Sequence, residues 1–260
     1  MIKKSILKML RKSGYDLVKI SPATPTFHSN ELTFHETTTG KYYLPKHAPL
    51  DLIADAIKRN EIFDSAIYSI AKKYIKEGTV VLDVGSNFGQ MAILFSNLVG
   101  ETGMVHGFDA DDFIFDILKK NIEVNKKKNI SLHFGAVHDR RDETLFFPEP
   151  DFSRFKTYGA FGIDYVSNKG RPVKTLTIDD LNIVKTISFM KVDVQGGDLF
   201  ALKGAKNTIQ KHKMPIIFEY EYVFEDELNL CFQEYIDFVN EIGYKFVKVI
   251  NGQNYLILPK

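Results

Sequence analysis

From residue 79 onward, short apolar runs alternate with stretches in which apolar positions recur every three or four residues, the pattern of strands alternating with helices. Val80, Val81, Leu82 and Val84 form a β-branched run without polar alternation, which predicts a strand buried on both faces. Further strands are predicted over 104–108, 130–137, 187–194 and 216–221, with helices after the first strand, over 112–125 and from Leu199. Towards the C-terminus, 226–242 reads as an amphipathic helix ended by Gly243. Two more strands, 245–250 and 255–258, are joined through Asn251 and Gly252, a dipeptide that favours tight hairpins. The alternation predicts an α/β fold: a mostly parallel sheet finished by an antiparallel hairpin.

Upstream of residue 79 the pattern is looser. Ile2, Ile6, Leu7, Met9 and Leu10 share one side of a short helix ended by Gly14, interrupted by Lys3, Lys4, Lys8, Arg11 and Lys12. Such a helix can dock on the domain or on a second copy of the chain, or it can make peripheral contact with an anionic membrane. Residues 21–30 read as a loop, 32–44 as a hairpin turning at Gly40, and 51–58 and 63–73 as helices. The chain therefore divides into a cap segment, 1–75, and a main domain, 76–260.

Composition narrows the picture in three ways. Thirty-four basic against 33 acidic residues leave a formal charge of +1, which offers no argument for a nucleic-acid or acidic partner, and none is expected. One cysteine, Cys231, rules out an internal disulfide and fits a reducing cytoplasm; it reads as a buried helix residue. No stretch reaches the roughly 18 to 20 apolar residues of a membrane-spanning helix.

Candidate chemistry gathers where strands end. After the first strand the chain reads D-V-G-S-N-F-G from Asp83 to Gly89, with glycines where backbone must approach a ligand and a helix N-terminus behind them. A dinucleotide fingerprint requires a glycine where Asn87 stands. The turn instead resembles the first motif of S-adenosylmethionine (SAM)-dependent methyltransferases, which makes Asp83, Gly85, Ser86, Asn87 and Gly89 candidate cofactor contacts. Asp109 closes the second strand, where a carboxylate can accept both ribose hydroxyls of a nucleoside; Ala110 adjoins it and Asp111 is the reserve. One acid among Asp109, Asp111 and Asp112 is expected to cap the following helix.

At the end of the third strand, Ala136 and Val137 are candidates to meet the adenine, and His138 is a candidate cofactor contact or base. Residues 145–170 show neither periodicity and read as a lid or acceptor loop. Phe152, Phe155, Tyr158, Phe161 and Tyr165 there can stack on a sugar, while Arg154, Lys156 and Arg171 can hold a phosphate. Tyr42, Tyr43 and Tyr68 are lid candidates by analogy with methyltransferases that carry segments ahead of the first strand. Asp193, Gln195 and Asp198, after the fourth strand, point towards the methyl donor, and alternation puts Glu219 and Glu221 on one face.

Taken together, VLDVGSNFGQ, GFDADD, MKVDVQGGDLFALKGA and IIFEYE resemble the FkbM family of SAM-dependent methyltransferases from Thr79 to the C-terminus. The resemblance implies a Rossmann-like class I fold with a seven-stranded sheet, SAM as methyl donor, and O-methylation of a hydroxyl on a sugar, nucleotide sugar or surface-glycan precursor. The family more often has Ala at Ser86, Glu at Asp109, and D-V-E-G-A-E where this chain has D-V-Q-G-G-D. Gln195 cannot serve as a base, so that role falls to Asp193 or Glu219, with Gln195, Glu221, Tyr158 and Arg154 as acceptor contacts. Asp193, Glu219 and Glu221 are alternatively a candidate Mg²⁺ site. The competing functions are an NAD-dependent oxidoreductase and a non-catalytic SAM- or glycan-binding module.

Overall fold

The computed structural model describes residues 31–46, 51–151, 156–167 and 169–260. The strands are β1 (Leu32–Thr37), β2 (Gly40–Pro45), β3 (Val80–Val84), β4 (Met104–Asp109), β5 (Ile130–Phe134), β6 (Ala136–Val137), β7 (Thr144–Phe147), β8 (Arg171–Leu176), β9 (Ile187–Val192), β10 (Ile216–Glu219), β11 (Tyr244–Ile250) and β12 (Asn254–Pro259). The helices are α1 (Leu52–Lys58), α2 (Ser65–Tyr74), α3 (Gln90–Val99), α4 (Asp112–Val124), α5 (Asp198–Lys203), α6 (Lys206–His212), α7 (Glu225–Leu228) and α8 (Phe232–Glu241).

Seven strands form the central sheet in the order β11-β12-β10-β9-β3-β4-β5. β5, β4, β3, β9 and β10 run parallel, and β12 is antiparallel to both of its neighbours. This is the doubly wound, Rossmann-like sheet with a C-terminal antiparallel hairpin that the pattern predicts, and β3 and β9 at its middle are buried at every residue. Alternate residues feed two cores. Val80, Leu82, Met190 and Val192 pack against Leu199, Leu202, Phe238 and Val239 on one side. Val81, Phe189 and Ile217 pack against Ile67, Met91, Leu94 and Phe95 on the other.

The β1–β2 hairpin is fastened to α4 rather than to the sheet. Asn121 accepts from the Tyr43 amide at 2.6 Å and donates to the Phe88 carbonyl at 2.9 Å, and Asn125 accepts from the Lys41 amide at 2.9 Å. Tyr42 lies fully buried beneath this hairpin, so it packs core and does not cover a cleft. Tyr43 and Tyr68 line neither of the two cavities described below.

Several boundaries depart from expectation. Gly135, at φ +149, ends the third strand early, and the residues after it join β8 in a separate three-stranded sheet. The stretch expected to be irregular begins as β7, paired antiparallel with β8. Asn229, in the left-handed region at φ 49, splits the expected helix 226–242 into α7 and α8. Cys231 is exposed at the N-cap of α8, not buried. Glu221 lies beyond β10, where strand alternation no longer governs its direction. The expected basic N-terminal helix, the expected loop over 21–30, and Phe152, Arg154 and Phe155 lie outside the described residues. Among the described residues no helix is long and apolar enough to cross a membrane.

Candidate active site

A cleft of about 740 Å³ opens over the C-terminal ends of β3, β4 and β9. Its floor is the turn that follows β3. Gly85 has φ +84, and a Cβ there would lie 1.8 Å from the Asp193 carbonyl oxygen, so only glycine lets the β3 and β9 ends approach this closely. The Gly85 and Ser86 amides both donate to the Phe108 carbonyl, at 3.0 and 2.8 Å, which ties the turn to β4.

Asp109 is the acid at the cleft's centre. It accepts from the Asn87 amide at 2.8 Å and from the Asp111 amide at 3.0 Å. Burial, and then the neighbouring Asp111, push its carboxyl up to about 7. Asp111, 2% exposed, caps α4 by accepting from the Phe113 amide at 2.9 Å and pairs with Arg171 at 2.8 Å. Its Oδ2 is buried and accepts nothing. Arg171 is thus committed to Asp111, Asp112 and Glu149, a correction to its expected phosphate role. Apolar flanks from Phe108, Ile114, Val137 and Phe147 complete the cleft. An acidic floor with an unused acceptor beside apolar walls suits a nucleoside, whose ribose donates hydrogen bonds and whose base stacks on apolar surface.

The loop over 157–165 forms a roof. Tyr158, Gly159, Phe161, Gly162 and Tyr165 line the cleft. A Cβ on Gly162 would lie 2.5 Å from the Gln195 carbonyl oxygen, so the roof rests directly on the turn after β9. Asp51 pins it from the other side. This fully buried carboxylate caps α1 through the Ala54 amide at 2.8 Å and accepts from the Tyr158 amide at 2.7 Å and the Thr157 hydroxyl at 3.0 Å.

A second, more polar cavity of about 980 Å³ adjoins the first and shares Ile53, Gly85, Asn87, Gly159, Asp193 and Gln195 with it. In its wall the Lys191 ammonium, with only 4% of its side chain exposed, contacts Asp193 at 3.0 Å. Burial disfavours that ammonium, but Asp193, Asp83 and Asp64 together raise its affinity for a proton. Burial alone drives the Asp193 carboxyl upward; Lys191 and hydrogen bonds from Lys191, Glu219 and Gln195 outweigh it and leave Asp193 below its usual value. Gln195, at φ +53, donates its amide to Asp193 at 3.1 Å and to Glu219 at 2.9 Å. Burial, then Asp193 and Asp198, push Glu219 up to about 10, so it holds its proton at neutral pH.

The structure therefore brings Gly85, Asn87, Asp109, Ala110, Asp111, Ala136, Val137, Asp193, Gln195 and Tyr158 to the cleft, and Ser86 and Glu219 to the adjoining cavity. Other candidates lie elsewhere. Asp83 is fully buried behind the turn, directly opposite Lys191 across the β3–β9 pairing. Gly89 caps α3 at φ +87 against Leu118. His138, 1% exposed, stacks on Phe200 at 4.7 Å and pairs with Asp139 at 2.7 Å, outside both cavities. Asp198 turns to the Val194 and Glu219 amides, and burial then Asp193 push it up to about 8. Glu221 faces Gln253, and among the described residues no group of three acidic, His or Cys side chains can hold a metal. Lys191, Asp64 and Asn254 were not singled out by the sequence. The available signal was a lysine inside an apolar strand, two residues before Asp193 and so on its face.

The methyltransferase FkbM domain family matches residues 83–246. A hexuronic acid methyltransferase, AglP, of Haloferax volcanii is 31% identical over 146 residues, covering 55% of this chain and 56% of that protein. The chain thus spans little more than half the length of that curated relative. Among solved structures, a methyltransferase FkbM from Methylobacillus flagellatus superposes with a TM-score of 0.44 at 14% identity, over 73% of this chain and 49% of that one. A SAM-dependent methyltransferase from Aquifex aeolicus does so with 0.41 at 16% identity, over 78% and 95%.

Proposed function

The chain belongs to the FkbM methyltransferase family, and from that premise we propose that it is a SAM-dependent O-methyltransferase acting on a hydroxyl of a sugar, nucleotide sugar or surface-glycan precursor. The observation that carries this reading is the pair of adjoining cavities, one suited to a nucleoside and one lined with polar side chains, meeting at Asp193 and Gln195. The relative named as a hexuronic acid methyltransferase supports a sugar acceptor.

In this reading Asp109 and Asp111 take the ribose hydroxyls, and Ile114, Val137 and Phe147 enclose the base. SAM, when bound, supplies an electrophilic methyl group on a sulfonium leaving group. The chain's own work is to align the acceptor oxygen and receive its proton. Asp193 is the proton acceptor, because Lys191 keeps it ionised while Glu219 already carries a proton at neutral pH. Gln195 fixes Asp193 by donating to it at 3.1 Å. No step requires a divalent cation.

Two measurements test the reading. Calorimetric titration with SAM and with NAD separates it from an oxidoreductase: micromolar SAM affinity with no NAD heat is expected, and the reverse sinks it. Labelled-methyl transfer to a panel of glycosides and nucleotide sugars then separates an enzyme from a binding module.

A further inference from the structure

The second cavity has a charge that selects its ligand. Asp64, Asp193 and Glu219 line it, Asp83 lies directly behind, and among the described residues Lys191 is the one cation in its wall. That cation has only 4% of its side chain exposed, contacts Asp193 at 3.0 Å and is outnumbered by the carboxylates around it. Burial lifts Asp64 and Asp83, each to about 6, which leaves both largely ionised above neutrality, and Asp193 is ionised throughout. Three carboxylates thus face one ammonium.

Two further features point to a ligand that donates hydrogen bonds. Asn254, 9% exposed, lines the cavity with its Oδ1 buried and without a partner. An orphaned amide oxygen is costly unless a hydroxyl or ammonium reaches it, and a carboxylate cannot. Asp64 occupies the N-cap of α2 but makes no cap hydrogen bond, so its carboxylate oxygens are not spent on the helix. It remains available to a ligand.

We propose that this cavity takes the acceptor as a sugar ring bearing neutral hydroxyl or ammonium groups, and that it rejects a ring bearing a carboxylate. The proposal rests on the sugar-methylation reading and narrows it: the acceptor is a hexose or amino sugar rather than a uronate. A carboxylate in the cavity would meet Asp64 and Asp193 with its charge uncompensated, whereas an amine would gain from both.

The test uses the full chain with radiolabelled SAM at pH 7.5 and three matched acceptor panels: methyl hexosides, methyl 2-amino-2-deoxyhexosides and methyl hexuronides. The best neutral or amino acceptor is expected to exceed the best hexuronide at least tenfold in kcat/KM. Asp64→Asn is expected to narrow that ratio at least threefold. Hexuronides equal to or better than the other panels overturn the charge selection while leaving sugar methylation intact. An unchanged ratio in Asp64→Asn overturns the role given to Asp64 in setting the selection. Transfer to no panel, with SAM still bound, removes the sugar reading and this proposal with it.

Discussion

Replacing Lys191 by methionine nearly keeps the volume of the side chain and deletes its charge together with its hydrogen bond to Asp193, which separates the polar role of the ammonium from the packing of its stem. In the folded protein the ammonium lies 3.0 Å from Asp193, opposite Asp83 in the strand pairing, and near enough to Asp64 to shift it. Breaking a buried ion pair by removing one partner costs about 3–5 kcal/mol. For a domain of this size that corresponds to a fall in Tm of roughly 6–20 °C. The pH dependence identifies the cause. The folded-state values of Asp64 and Asp83, about 6 each, already exceed those of the unfolded chain. Their contribution is therefore fully present below about pH 4 and lost as pH rises through their folded values. Without Lys191 those values move higher still, so the deficit of Lys191→Met is expected to be larger at pH 8 than at pH 5.5. Thermal unfolding followed by circular dichroism at both pH values measures this. The double variant Lys191→Met/Asp83→Asn supplies a coupling energy, expected to exceed about 1 kcal/mol. Equal deficits at both pH values, or additive single and double variants, would refute the electrostatic account and leave Lys191 as a packing residue.

Two further outcomes follow from the cleft. Asp109→Asn removes a carboxylate held by two backbone amides, and SAM affinity is expected to fall tenfold to a hundredfold, as loss of a charge-assisted hydrogen bond does, about 1.5–3 kcal/mol. With a folded value of about 7, wild-type affinity is also expected to rise from pH 6 to pH 8 as this acid ionises; a flat calorimetric profile contradicts the ribose assignment. Asp51→Ala deletes the α1 cap and both roof contacts, costing about 1–2 kcal/mol. Hydrogen exchange is expected to quicken at 157–163 while β3 and β9 stay protected, and unchanged exchange there would show that the roof holds itself.

What the sequence disclosed and what it withheld divide along a physical line. Strand ends followed by glycine or aspartate are local signals, so the turn at Gly85 and the acid at Asp109 were legible from residue order alone. Contacts set by strand order were not. Lys191 and Asp83 become partners only when β9 is placed beside β3, and Glu219 and Asn254 only when β12 returns antiparallel to β10. Arg171 read as a phosphate ligand because nothing local reveals that β8 carries it to the cap of α4. His138 read as a base for a similar reason, since its stacking partner Phe200 lies on α5.

The pleat of the sheet explains why the two cavities differ. Along β3, β9, β10 and β12 one face carries Val81, Phe189, Ile217 and Leu256, a continuous apolar core beneath α2 and α3. Two residues nearer the cavity mouth, the same face carries Asp83, Lys191, Glu219 and Asn254, and Asp193 follows Lys191 two further on. Each strand changes from apolar to polar at the same level, so one face of the sheet passes from core to polar cavity wall without a change of fold. The opposite parity, Val84 and Phe108, stays apolar to the end and borders the nucleoside-type cleft. A one-residue slip in any of these strands would exchange the faces, which makes sheet register the property that keeps Lys191, Glu219 and Asn254 on the side of the polar cavity.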